Sequence, residues 1–436
     1  MNSLFYYEAD RQNGCGLTDA ELDHAVAAFL QSLNAPPRKV LLLPPDITRL
    51  HSAGGLLAAK LYHALKESAD VWLMPALGTH EPMTQAERRR FFGDIPDDRF
   101  LVHDWRNDVR KIGTVPADFV CEVSEGIVDE AIDVEVNHLL FDGGFDLIVS
   151  LGQVVPHEVV GMANYSKNIF VGVGGSKLIN QSHMLGALYG LERMMGRDHT
   201  PVRRVFDYAH THFLASLPLY FFQTVTTASS SGVHIHGLFI GDHRDVFEAA
   251  VKLAQEKNMI FVERPFRKAV VYLDPAEFKS TWLGNKAIYR TRMAMADGGE
   301  LIILAPGVRR FGEDPENDRV IRLFGYAGRE NVLRMFRTEP ELQRNQSVAA
   351  HLVHGSSDGR FSITYCTDPS LLSAEEVESV GYRHMAYHEA IQRYAPDKLS
   401  DGFCTLPNGE EVFYYISNPA LGLWADPERF YGTSNA

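Results

Sequence analysis

The chain has 436 residues, 45% of them hydrophobic, and a formal net charge of -14. That length supports two or three domains around a large buried core, and the negative balance excludes the basic face that nucleic-acid binding requires. The partner this implies is a small molecule.

The opening residues, Met1 to Arg11, show no basic start followed by an apolar stretch, and no run in the chain approaches the about 18 apolar residues of a membrane span. A cytoplasmic protein with no membrane attachment is expected. Cys15, Cys121, Cys366 and Cys404 form no CxxC pair, so reduced thiols are expected in place of a disulfide framework or zinc knuckle.

Lys39 to Leu43 is a short continuous apolar run, the mark of a strand buried on both faces of a parallel sheet. Its end delivers Asp46-Ile-Thr-Arg49. Gly55 to Glu67 has helical spacing, and Val71 to Leu77 reads as the next strand, followed by Gly78-Thr-His80 and a helix capped by Thr84. After a polar region from Gly93 to Asn137, Phe145 to Leu151 is a third buried strand with His157 in the loop beyond. Ile169 to Gly175 reads as a further strand ending in a glycine turn, and a helix from about Asn180 puts His183 in its first turns. Gly174 and Gly175 either form a plain turn or offer backbone N–H groups to a phosphate.

Leu217 to Asp242 reads as strands around a turn at Ser229 to Gly232, then a helix from Val246 to Gln255. Beyond a boundary near Lys257, Lys268 to Leu273, Glu300 to Ala305 and Phe361 to Tyr365 alternate with helical stretches. An α/β protein of two domains follows. Residues 1–257 form a catalytic and cofactor-binding domain on a mostly parallel, Rossmann-like sheet, residues 258–436 form a smaller α/β domain, and the site is expected in the cleft between them. Ligands of such sheets bind beyond the carboxyl ends of the strands, where Arg49, His80 and His157 all fall.

Each of these residues has an ordinary reading. His80 suits a hydrogen-bonded loop, Arg49 a salt bridge with Asp46, Lys167 a solvated surface, and His183 a helix start. Together they are less ordinary. His157, Lys167 and His183 stand ten and sixteen positions apart, combining imidazoles that move protons or bind metal with an amine that can be a covalent attachment point.

That spacing, with Asp46-Ile-Thr-Arg49 and Gly78-Thr-His80 upstream, resembles the nickel-pincer lactate racemase family. The resemblance implies a 2-hydroxy acid racemase or epimerase that depends on maturation proteins for its cofactor. Lys167 would anchor a pyridinium thioamide-thiocarboxylic acid mononucleotide, the nickel-pincer nucleotide, and His183 would complete the coordination of nickel. His80 and His157 would be the catalytic bases and Arg49 the carboxylate clamp. Asp46, Gly174 and Gly175 are expected beside the cofactor, and Tyr289 and Arg290 beside the substrate.

Two departures stand out. The family's lactate enzymes carry Gly-Gly-Arg before the lysine, where this chain has Asn164-Tyr165-Ser166. They also carry a Tyr-Gln pair followed by a lysine, where this chain has Tyr289-Arg290 followed by Thr291-Arg292-Met293. The extra arginine donors suit a larger polar acid, an aldonate such as gluconate, ahead of malate or lactate.

Competing readings use other residues. His210-Thr-His212 and His234-Ile-His236 have the spacing that sets two imidazoles on one face of a strand, so a metal-dependent lyase or hydrolase using His234 and His236 is an alternative. A non-catalytic sugar-acid-binding protein is another. No GxGxxG follows the first strand, which disfavours a free dinucleotide.

Overall fold

In the computed structural model, which describes residues 5–9, 16–229, 232–406, 409 and 411–432, the chain divides into two compact units. The first comprises Met1–Leu185 and Met194–Asn258, the second Gly186–Arg193 and Met259–Ala436.

The first unit is built on a six-stranded sheet. Leu219–Ser229, Leu147–Gln153, Lys39–Leu43 and Asp70–Leu73 are successive parallel neighbours. Gly232–Gly241 and Phe5–Glu8 extend the sheet antiparallel beyond Leu219–Ser229. Leu147–Gln153 is buried at every position, which is why its sequence reads as a continuous apolar run instead of an alternating one. Val40, Leu42, Val149 and Leu151 pack on Leu22, Val26 and Phe29 of the helix Asp19–Ser32 and on Leu57 and Leu61 of the helix Gly54–Leu65. Each such side chain, fully withdrawn from water, contributes about 1.5–3 kcal/mol.

Helix starts follow from local chemistry. Thr84 caps Gln85–Phe92 as expected, and Glu87 returns the bond to complete a capping box; the cap contributes about 1 kcal/mol. Thr18 and Glu21 do the same for Asp19–Ser32.

Three expectations need correction. Ile169 to Gly175 is not a strand: Asn168–Gly172 is a buried π-helical turn. A short apolar run buried on all sides carries no periodicity that separates the two. The helix carrying His183 begins at Ser176 and runs to Tyr189, so His183 lies in its middle and not its first turns. His210 and His212 are on a helix, Pro201–Phe213, where residues two apart do not share a face. The expected serine turn falls on Ser230 and Ser231, which lie outside the described residues.

The second unit has its own six-stranded sheet, in the order Arg383–Ala386, Phe361–Thr367, Met295–Ala305, Phe266–Tyr272, Val412–Ile416, Gly402–Thr405. All neighbours are parallel except the last pair. Val270, Ile302, Leu304 and Cys366 form its core with Tyr394, Phe413 and Tyr415. Cys121, Cys366 and Cys404 are unbridged, and Cys15 lies outside the described residues. Among the described residues no helix is long and apolar enough to cross a membrane.

Candidate active site

The first unit gathers its titratable groups beyond the carboxyl ends of the parallel strands. After Lys39–Leu43 the chain enters a tight turn, Ile47–Ser52, capped by Asp46. Asp46 Oδ1 accepts from the Thr48 amide at 3.1 Å and from its hydroxyl at 2.5 Å, while Oδ2 lies 2.7 Å from His80 Nδ1. Two threonines of Leu219–Ser229 tie the turn down: Thr224 donates to the Ser52 carbonyl at 2.6 Å and Thr226 to that of His51 at 2.7 Å.

These bonds bear on the salt-bridge reading of Arg49. Asp46 gives its oxygens to Thr48 and His80, and the Arg49 side chain forms no hydrogen bond with any described residue. A guanidinium so placed could take a carboxylate in its planar fork. Burial alone would raise the Asp46 carboxyl, but His80, Thr48 and then Arg49 outweigh it and hold the group below its ordinary value. An ionised Asp46 fixes the hydrogen of His80 on Nδ1, which places the basic lone pair on Nε2. Asp46 is therefore an orienting partner of His80.

His157 is arranged differently. It pairs in a short hairpin, Pro156–His157 with Gly161–Met162, and its Nδ1 accepts from the Val159 amide at 3.1 Å. In the neutral ring this puts the hydrogen on Nε2. His157 is 6% exposed.

Lys167 stands at the start of the turn Asn168–Gly172. Asn168 Nδ2 donates to the Leu43 carbonyl at 3.1 Å and to Ser150 Oγ at 2.9 Å, fastening the lysine to the ends of two central strands. Its amine is pushed down to about 7, first by burial and then by Arg49, against the opposing pull of Glu158 and Asp46. A lysine that is half neutral near pH 7 is a competent nucleophile. On Ser176–Tyr189, His183 Nδ1 donates to the Ile179 carbonyl at 2.6 Å, so that Nε2 is the atom that could hold a metal. A carbonyl that takes the hydrogen of one imidazole nitrogen fixes the ring's orientation and raises the donor strength of the other. Burial lowers the His183 pKa to about 4, with Lys167 adding to the shift and Ile179 and Glu158 opposing it, so the ring is neutral and able to coordinate.

The lysine makes a stability prediction. Between a folded value of about 7 and an unfolded value of about 10.4, the unfolded chain holds more protons, so this group's contribution to stability rises with pH across that window. Lys167→Met is expected to raise the melting temperature of the unloaded chain most below about pH 7, with the gain gone above about pH 10.4. Calorimetry of variant and parent across pH measures it. A gain that does not vary with pH would rule out the buried amine as its source.

Other expected residues fall elsewhere. The Gly175 amide donates to the Glu135 carbonyl at 2.9 Å and the Ser176 amide to that of Trp105 at 3.1 Å. A Cβ at Gly174 would sit 1.8 Å from the Phe170 carbonyl oxygen. The two glycines therefore serve packing, and their turn does not offer these amides to a phosphate. Tyr289 and Arg290 lie in the second unit. The Tyr289 hydroxyl is 2.7 Å from His351 Nδ1, and Arg290, 1% exposed, donates from Nη1 to the Gly422 carbonyl at 2.9 Å. Arg292 is bonded at 2.9 Å to each of Glu192, Ser356 and Asp358. The donors that suggested a longer substrate are thus engaged within this unit.

The competing histidines fall apart from the described metal-capable group. His236 Nε2 meets the Thr227 hydroxyl at 2.7 Å, and among the described residues the group of three metal-capable side chains is Asp198, His199 and Glu248, without His234 or His236. Sequence reasoning missed Glu158, which acts electrostatically on both Lys167 and His183. Its position directly after His157 was the available signal.

Residues 16–194 match the model of the lactate racemase N-terminal domain. A lactate racemase of Thermoanaerobacterium thermosaccharolyticum is 29% identical over 160 residues, which span 35% of this chain and 34% of that protein. A crystal structure of a Thermotoga maritima protein superposes with a TM-score of 0.80 at 25% identity, covering 96% of this chain and 99% of that one. The lactate racemase apoprotein of Thermoanaerobacterium thermosaccharolyticum shares the fold, with a TM-score of 0.64 at 18% identity over 93% of both chains.

Proposed function

We propose that the chain is a 2-hydroxy acid racemase or epimerase that acts at C2 with a nickel-pincer nucleotide. The observation that carries this reading is the set of groups beyond the strand ends: a half-neutral Lys167, a neutral His183 with Nδ1 already bonded, and the Asp46–His80 pair. The donor set suits the group, with Lys167 as its attachment point and His183 Nε2 as a nickel ligand. When bound, the nucleotide supplies an acceptor for the C2 hydrogen as hydride.

The chain's own residues handle the carboxylate and the hydroxyl proton. Arg49 takes the carboxylate in its fork and fixes the acid's position. His80 Nε2 takes the hydroxyl proton from one enantiomer, and Asp46 stabilises the imidazolium so formed. Returning a proton to the carbonyl oxygen of the 2-keto acid in its other orientation needs a second group, and His157 fills that role from its imidazolium form, giving up the Nε2 proton and leaving as the neutral ring. A ketone held by Arg49 has only to turn its carbonyl carbon to invert.

Substrate length is the finer part of the reading. A larger polar acid such as gluconate, ahead of malate or lactate, rests on the sequence change at Tyr289-Arg290 alone. Chain co-expressed with cofactor maturation proteins should invert C2 of at least one acid in a panel of lactate, malate, phenyllactate and gluconate, read by chiral chromatography. Gluconate should turn over fastest. Lactate as the best substrate would overturn the aldonate reading alone, and no inversion by nickel-loaded chain would overturn the racemase.

A further inference from the structure

The residues before Lys167 have an unusual backbone. Asn164 and Tyr165 both adopt positive φ, 69° and 55°, a conformation that costs side-chain-bearing residues and persists only where surroundings enforce it. The enforcing element is the helix Pro201–Phe213. Arg203, with no exposed surface, donates from Nη2 to the carbonyls of Met162 and Asn164 at 2.6 and 3.2 Å, and from Nη1 to Ser166 Oγ at 2.7 Å. Ser166 Oγ in turn donates to Asp207 at 3.0 Å. The Tyr165 hydroxyl meets His210 Nδ1 at 3.0 Å, and its ring stacks on Phe247 with centroids 5.3 Å apart. Thr200, which caps the helix, donates to the Val160 carbonyl at 3.0 Å.

Thr200, Arg203, Asp207 and His210 are spaced three, four and three positions apart, so they share one face of the helix and its N-cap. That face grips residues 160–166 from end to end. The grip is charged and centred on the buried Arg203: the half-buried Arg244 meets Asp207 at 3.3 Å and Asp198 at 2.6 Å, and the Arg203 guanidinium lies 4.3 Å above the Phe247 ring. A buried charge network has few alternative arrangements, which gives it value as a geometric constraint over and above any stability. Where the lactate enzymes of the family have Gly-Gly-Arg, this chain replaces glycine freedom with anchored side chains, and a guanidinium from another helix reaches the residue preceding the lysine.

We infer that the helix Pro201–Phe213 is the positioning element for Lys167, with Arg203 its principal residue and Ser166 the relay between Arg203 and Asp207. Arg203 acts through the segment it holds and not on the reacting atoms, so it is a positioning residue. The inference rests on Lys167 being the cofactor attachment point. What it adds is that attachment depends on a strained segment held from outside.

The test uses the unloaded full chain, with trace acetylation by acetic anhydride read lysine by lysine in peptide mass spectra. Arg203→Met and Ser166→Ala should change the labelling of Lys167 relative to Lys60 and Lys111, while far-ultraviolet circular dichroism stays that of the parent. Co-expressed with the maturation proteins, Arg203→Met should show a fraction of adduct-bearing chains reduced by up to about 100-fold, the scale set by displacing a reacting group by about 1 Å. Arg203→Lys should recover part of both signals. Should Arg203→Met fail to fold, Ser166→Ala and Tyr165→Phe carry the test. Folded variants with parental Lys167 labelling and parental adduct occupancy would overturn the inference. Absence of adduct on the parent would overturn the proposed cofactor instead, and the labelling ratios would still decide the positioning role.

Discussion

His80→Ala and His157→Ala should each lower C2 inversion by about 10²- to 10⁴-fold, the usual consequence of removing a general base or acid, while the adduct on Lys167 and the nickel content stay those of the parent. The two losses need not be equal. His80 is held by the ionised Asp46 at 2.7 Å, and His157 by the Val159 amide at 3.1 Å. Asp46→Asn should imitate part of the His80 loss, because a neutral amide stabilises the imidazolium less. Chiral chromatography of product from both enantiomers, with intact mass and metal analysis on the same samples, checks all three variants. Turnover near the parental rate in either alanine variant removes that histidine from the mechanism.

His183→Ala should lose nickel from the purified chain while the fold survives. The imidazole contributes one coordinating nitrogen, and its bond inside the protein is to the Ile179 carbonyl of its own helix, so the substitution breaks no contact between elements through that bond. Metal analysis after co-expression should fall from about one nickel per adduct-bearing chain to a small fraction, because a structured site that loses an imidazole donor loses much of its affinity. Circular dichroism and melting temperature report the fold. Retained stoichiometric nickel would mean that another residue is the ligand, and the spacing from Lys167 to His183 would lose its significance.

Much of the first unit could be read from the chain because burial on both faces writes itself as continuous apolar runs. Lys39–Leu43 and Leu147–Gln153 came out close to their observed limits, and the loops after the strands came out as the place where Arg49, His80 and His157 fall. What could not be read were arrangements set by tertiary partners. The turn Asn168–Gly172 depends on an asparagine reaching carbonyls 125 and 17 positions away, which leaves no local periodicity. Arg203 and Asp207, four positions apart on a helix, look like an exposed ion pair of the commonest kind, yet Arg203 has no exposed surface. Arg290 and Arg292 likewise take their bonds from partners distant in sequence. Within the second unit they donate to Gly422, Glu192, Ser356 and Asp358.

The unlike hydrogen placement on His80 and His157 has a kinetic consequence. Two enantiomers of an acid with a single stereocentre have equal free energy, so kcat/KM must be the same in both directions however different the two histidines are. Their inequality can then appear only as a matched pair, the enantiomer with the higher kcat also showing the higher KM. An aldonate differs, because its other stereocentres make the two C2 epimers unequal in free energy, and the ratio of the two kcat/KM values must equal their equilibrium constant. The balance of forward and reverse kinetics therefore tells a racemase from an epimerase, and the split between kcat and KM within it records the different partners that Asp46 and Val159 provide to the two imidazoles.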